Sequence, residues 1–168
     1  MEGEPKIEEE KQKLYNVEFN EDHFGEVKTP VGTLSLVGKM NTWWKNICVE
    51  NGWDKDDKRW KNIDYYIMEL GKNALEYGRG DREIKILFGE NKITVIVTDN
   101  GVGFDNPNDD IGVRHEHGLS VVEKFADEFI IESNGRKFVK VDNKRKLVKS
   151  EDTDIMRGTK ITLIKYLK

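Results

Sequence analysis

A helical stripe followed at once by two alternating runs constrains this chain more than any other feature. Ile63, Ile67, Leu70, Ala74 and Tyr77 step by four, three, four and three, the spacing that lines one face of an α-helix. The expected helix covers about Trp60 to Tyr77 and stops at Gly78 and Gly80, because glycine takes the conformations that end helices without penalty. Ile84, Ile86 and Phe88 then alternate with polar residues, Gly89-Glu90-Asn91 offers a turn, and Ile93, Val95 and Val97 alternate again. A period of two marks strands with one buried face. The stretch therefore predicts an amphipathic helix beside an antiparallel hairpin.

The rest of the chain extends that pattern. Tyr15–Phe19 and Thr33–Val37 read as short strands, and a first helix is expected over about Lys39–Glu50, with Asn51-Gly52 as its stop. Asp54–Arg59 is a polar connector. A helix is expected from Leu119 to about Ala126, then strands near Glu128–Ser133, Lys137–Val141 and Lys160–Tyr166. Asp142–Arg157, rich in Lys and Asp, reads as a hairpin extension. The class is α+β, a mostly antiparallel sheet with helices over one face. Residues 1–13 are charged and aperiodic, the pattern of a mobile tail, which leaves 14–168 as the domain.

Bulk properties exclude several classes of function. The 168 residues suit a single domain. A net charge of −4 and a pI near 5.5 leave no overall electrostatic footprint for nucleic acid. No apolar run approaches the roughly 18 residues of a membrane span, and no basic-then-apolar leader opens the chain, so a cytoplasmic location is expected. Cys48 is the sole cysteine, which excludes an internal disulfide and a multi-cysteine zinc site; it is expected to be a small buried residue. Trp43, Trp44, Trp53 and Trp60 are expected to anchor the core, whereas an exposed Trp43-Trp44 pair would mark a protein-binding surface.

Two segments carry chemistry. Glu69 and Asn73 stand four apart on the edge of the helical stripe, hence side by side between core and solvent. A carboxamide oxygen there can ligate a hydrated Mg²⁺, and the carboxylate can orient or deprotonate a nucleophile; an exposed polar edge reads equally from this segment alone. Asp99 ends an alternating apolar run and is followed by Gly101 and Gly103. A partly buried carboxylate needs donors, an exocyclic purine amine is one, and the glycines let a base approach closely. Asp-Asn-Gly is also ordinary turn chemistry.

Other signatures fail. Gly32–Met40 has one spacer too many for a P-loop and Met where Ser or Thr must stand. Gly101–Asn106 lacks the third glycine of a dinucleotide fingerprint. Asp105–Asp110 fits no calcium-loop frame, and His115 with His117, two apart and without a nearby cysteine, makes a poor metal site.

The order of the surviving pieces resembles the GHKL ATPase superfamily over about Thr33 to Lys165. Its N-box matches through Glu69, Asn73 and Ala74, its first Gly box through Asp99, Gly101 and Gly103, its second in part through Gly118 and Leu119, and its third through Gly158 and Thr159. The resemblance implies a two-layer α/β sandwich of the Bergerat type with a mostly antiparallel mixed sheet, binding ATP and Mg²⁺. It implies that Asp99 binds the adenine amine with Thr159 assisting, that Asn73 ligates Mg²⁺, and that Glu69 acts as base or orients the nucleophile. His117, Gly118 and Leu119 would meet the phosphates, 104–117 would be the lid, and Tyr77 sits where an aromatic or His often approaches the phosphates. The second box keeps one glycine of the fuller pattern, with Glu116 and Ser120 beside it.

Among members, the format is most similar to the bacterial anti-sigma-factor serine kinases. That likeness implies transfer of a γ-phosphoryl group to a serine on a small antagonist protein, alternate binding of a sigma-like partner, and homodimerisation, with no direct nucleic-acid contact. Two other readings stay open: a nucleotide-sensing module without kinase activity, and a catalytic ATP-binding domain working with a separate histidine kinase partner.

Overall fold

The computed structural model describes residues 13–19, 42–54, 57, 62–78, 80–104, 119–140, 147–150, 153, 155 and 157–167. The expected strand at Thr33–Val37, most of the 1–13 tail and most of the 104–117 lid lie outside them. Strand β1 is Lys13–Phe19 and the chain is helical over 42–50 (α1). Helix α2 (Ile63–Tyr77) is followed by β2 (Arg82–Phe88), β3 (Lys92–Asp99) and α3 (Leu119–Phe125). Strands β4 (Glu128–Ser133), β5 (Arg136–Lys140), β6 (Leu147–Ser150) and β7 (Thr159–Tyr166) complete the order.

The strands form one seven-stranded sheet in the order β1-β2-β3-β7-β4-β5-β6. Every described pairing is antiparallel, in keeping with the mostly antiparallel sheet expected from the sequence. The reason is connectivity. β2–β3 and β4–β5 are joined by tight turns, and short connections of that kind join antiparallel neighbours only. Gly89 N–H donates to Lys92 O at 2.9 Å to close the first turn. Asn134 and Gly135, with φ of 50° and 73°, make the second, the residue pair a primed hairpin turn requires. The polar stretch expected as a hairpin extension does contain an arm, since β6 pairs with β5.

The buried face follows from the period of two. Arg82, Ile84, Ile86 and Phe88 of β2 and Ile93, Val95 and Val97 of β3 alternate inward. Ile63, Ile67 and Leu70 of α2 lie in one core with them, as the stripe predicted. α3 adds Leu119 and Val122, and its last carbonyls are capped from β5, where Lys140 Nζ donates to Glu123 O and Ala126 O at 2.8 and 2.9 Å. At one end of β2, Phe88 collects Tyr15, Trp44 and Trp53 at ring-centroid distances of 5.6, 6.0 and 4.4 Å. Trp44 is core, not half of an exposed pair, and Cys48 is buried as expected. Trp60 lies outside the described residues. No helix among the described residues is long and apolar enough to cross a membrane.

Ile86 is fully enclosed between sheet and helices. Ile86→Ala is expected to lower unfolding stability by about 2–5 kcal/mol, the range for emptying such a site, read from the urea midpoint.

Candidate functional site

The alternation that builds the core also brings polar residues to one end of the sheet. Asp99 is the last residue of β3 and shares the inward parity of Val97. Its cross-strand partners are Arg82 on β2 and Thr159 on β7, and Thr159 in turn faces Ser133 on β4. Arg82, Asp99, Thr159 and Ser133 thus form a row across four strands at the margin of the core. Arg82, Thr159 and Ser133 are buried and Asp99 is half-buried.

Two close approaches bring other segments onto this row. A Cβ on Gly78, which caps α2, would lie 2.8 Å from Asp99 Cβ and 2.2 Å from Ala74 O. No larger residue fits, so the helix end and the strand-end carboxylate touch. On the other side, Gly158 has φ 79°, and a Cβ there would lie 2.1 Å from Asp99 O. A side chain would be strained by the backbone and blocked by the neighbour. The segment entering β7 therefore lies directly against the loop leaving β3.

That loop is held by β4. Ser133 Oγ accepts from Phe104 N–H at 2.7 Å and donates to Gly158 O at 2.9 Å, while Asn134 Nδ2 donates to Val102 O at 2.7 Å. Gly101 is buried and Gly103 half-buried within it. Gly101 N–H donates to Asp99 Oδ1 at 2.7 Å. Burial raises the Asp99 carboxyl above its ordinary value, partly offset by that hydrogen bond and by the Arg82 guanidinium. The group is thus a desolvated acceptor with Oδ1 engaged by the loop that follows it.

The remaining expected residues divide. Glu69 and Asn73 are half-buried on α2, on the stripe's edge as predicted. Asn73 stands five residues and Glu69 nine before Gly78, so roughly 7 and 13 Å along the axis from the contact with Asp99. One helix thus carries the base-type carboxylate and the amide about one turn apart, and its end lies against the strand-end acid. Tyr77 closes α2, and the structure describes its backbone only. Leu119 opens α3 with its side chain in the core, so only its backbone is available to a ligand. His117 and Gly118 lie outside the described residues.

The residues the sequence reading missed are Arg82, Ser133 and Asn134. Parity could have found the first two. Arg82 precedes Ile84, Ile86 and Phe88 by steps of two, and Ser133 follows Phe129 and Ile131 likewise, which places both on the buried face. Asn134-Gly135 is a hairpin signal by itself. Their hydrogen-bond partners come from distant segments and carry no local mark.

The raised carboxyl of Asp99 has a testable sign. The folded chain holds that proton more tightly than the unfolded one, so the contribution to folding is complete below the unfolded-state pKa and is lost as pH rises from there through the folded-state value. Asp99→Asn is neutral at every pH and is expected to raise the melting temperature at neutral pH in plain buffer.

With the geometry established, comparison with known families adds one finding. The family model for the histidine kinase-like ATPase domain matches residues 32–141, well over half of the chain. The matched span includes Glu69, Asn73, Asp99, Gly101, Gly103, Gly118 and Leu119, while Gly158 and Thr159 follow it. No curated protein matches the chain. A helix whose end meets a strand-end carboxylate, an antiparallel sheet covered on one face, and a family model spanning both lead to one conclusion: the chain belongs to the histidine kinase-like ATPase family.

Proposed function

We propose that this domain binds Mg·ATP and transfers the γ-phosphoryl group to a serine on a regulatory partner protein, switching its hold on that partner. ATP binding follows from the family; the transfer and the partner are the proposal. The contact between the end of α2 and Asp99, seen at Gly78, is the observation that carries it. It joins the segment suited to phosphates and metal to the segment suited to a base.

In this reading Asp99 accepts the adenine amine on its carboxylate, Gly101 and Gly103 allow the base to lie against the backbone, and Thr159 supports the carboxylate's row. Asn73 offers its amide oxygen to Mg²⁺. Among the described residues no group of three or more His, Cys, Asp or Glu forms a metal cage. A lone amide beside one carboxylate still suits Mg²⁺, which takes few protein ligands where phosphates and water fill its octahedron. When bound, the ion would neutralise phosphate charge. Glu69 orients the serine hydroxyl and takes its proton as the new Oγ–P bond forms and the bond to the β,γ-bridging oxygen breaks, with ADP leaving. Tyr77, His117, Gly118 and the Leu119 backbone are assigned to the phosphate end. Homodimerisation, a sigma-like or antagonist partner and a cytoplasmic setting belong to the same proposal. The single glycine kept in the second Gly box, with Glu116 beside it, favours one rival: a sensor that binds nucleotide and closes without chemistry.

Three measurements separate these readings. Mg·ADP at 100 times its Kd is expected to add about 2.7 kcal/mol to stability, visible as a thermal shift. Asp99→Asn should weaken ADP binding by roughly 10–100-fold, the loss of a hydrogen bond to a charged group. Glu69→Ala should leave ADP binding unchanged and cut phosphoserine formation on the partner by about 10²–10⁴-fold. Labelled ATP that never yields phosphoserine with any co-purifying partner would support the sensor instead.

A further inference from the structure

Arg82 lies at the inward head of β2, only 1% exposed. Its Nε, Nη1 and Nη2 donate to the carbonyl oxygens of Ala74, Gly80 and Gly78 at 2.8, 2.9 and 2.9 Å. Ala74 and Gly78 lie at the end of α2, the negative end of its dipole; Ala74 O also accepts the last helical bond, from Gly78 N–H at 3.0 Å, and Gly78 O lies past the last turn. A planar fork can tie several such oxygens at fixed angles, and an ammonium cannot. Enclosing a guanidinium is costly unless opposite charge or many acceptors surround it. The register sets Asp99 opposite it.

The surroundings of Asp99 sharpen the relation. β7 brings Thr159 and the turn before it brings Gly158, while α2 brings Gly78 and the following loop brings the Gly101 N–H. None of these groups is ionisable. Arg82, from β2, is the charge that opposes the carboxylate's burial. The same side chain therefore grips the helix that carries Asn73 and Glu69 and faces the acid at the other end of the site.

We infer that Arg82 is a positioning residue of the nucleotide site, holding the end of α2 and the Asp99 carboxylate in one register so that the base and phosphate ends fit a single ligand. The inference rests on the nucleotide reading above. Arg82 touches no ligand in this account; it acts through the three carbonyls and the facing acid.

The test is Mg·ADP binding to the full chain by calorimetry, over a pH series from the ordinary carboxyl range up to neutrality, for wild type, Arg82→Met and Arg82→Lys. Wild-type affinity should fall on the acid side as Asp99 takes up its proton. Arg82→Met should weaken binding at neutral pH at least ~10-fold and move that acid limb to higher pH, because the carboxylate has lost its cation. Arg82→Lys should return the limb to its wild-type position while binding stays weak, since charge is restored without the fork. A purely structural role would lower the melting temperature of both variants but leave ADP affinity and the acid limb of the folded proteins as in wild type, and that result would overturn the inference. Should Arg82→Met fail to fold, Arg82→Lys decides alone: weak binding with an unmoved limb supports it, and wild-type binding sinks it. A wild-type chain that binds no Mg·ADP overturns the nucleotide reading and this inference together, whereas tight wild-type binding with indifferent variants removes only the inference.

Discussion

The end of α2 meets Asp99 with no side chain between them, and several features of the molecule make that approach possible. Gly78 removes the atoms that would clash. Where the helix stops, the Arg82 guanidinium donates to Gly78 O and shares Ala74 O with the Gly78 N–H. The carboxylate in turn has lost much of its hydration and keeps Gly101 N–H and a nearby cation in exchange. Each group is tolerable because of the next: a helix end without donors, a buried cation without acceptors, or a buried acid without either would be strongly destabilising. The contact is thus a small polar network at the margin of an apolar core.

β2 shows how the fold separates stability from chemistry. One end carries Phe88, wrapped by Tyr15, Trp44 and Trp53. The other carries Arg82 and the polar row through Asp99, Thr159 and Ser133. Between them Ile84 and Ile86 are sealed under α2. Aromatic packing at one end anchors β1 and α1, and apolar packing in the middle fixes the height of α2 above the sheet. The other end is left free to hold groups whose burial is unfavourable in isolation. Ser133 extends the arrangement, since one hydroxyl joins the loop after Asp99 to the glycine before Thr159.

Much of this was legible in the chain before any coordinates. The stripe from Ile63 to Ala74 and the alternation of β2 and β3 are strong periodic signals, and both elements stand where those signals put them. Glu69 and Asn73 fell on the helix edge for the same reason. The all-antiparallel sheet was less legible, because local pattern says which residues face inward but not which strand lies beside which. Arg82 and Ser133 were passed over although their parity was visible: a polar residue on an inward position reads as a strand end until its partners are known. The Leu119 side chain packs in the core, which leaves its backbone N–H as the group the phosphate expectation concerns.

The sequence alone determined the elements, their buried faces and the chemical types at the site, because side-chain spacing, turn residues and helix stops act over a few neighbouring positions. Only the tertiary structure decided that β7 lies between β3 and β4, which sets Thr159 against Asp99 and Ser133 against Thr159. It alone revealed that a guanidinium from β2 closes the end of α2. Those relations join residues far apart in the chain, and they arise when the core closes and each buried polar group must find a partner from whatever the packing brings near.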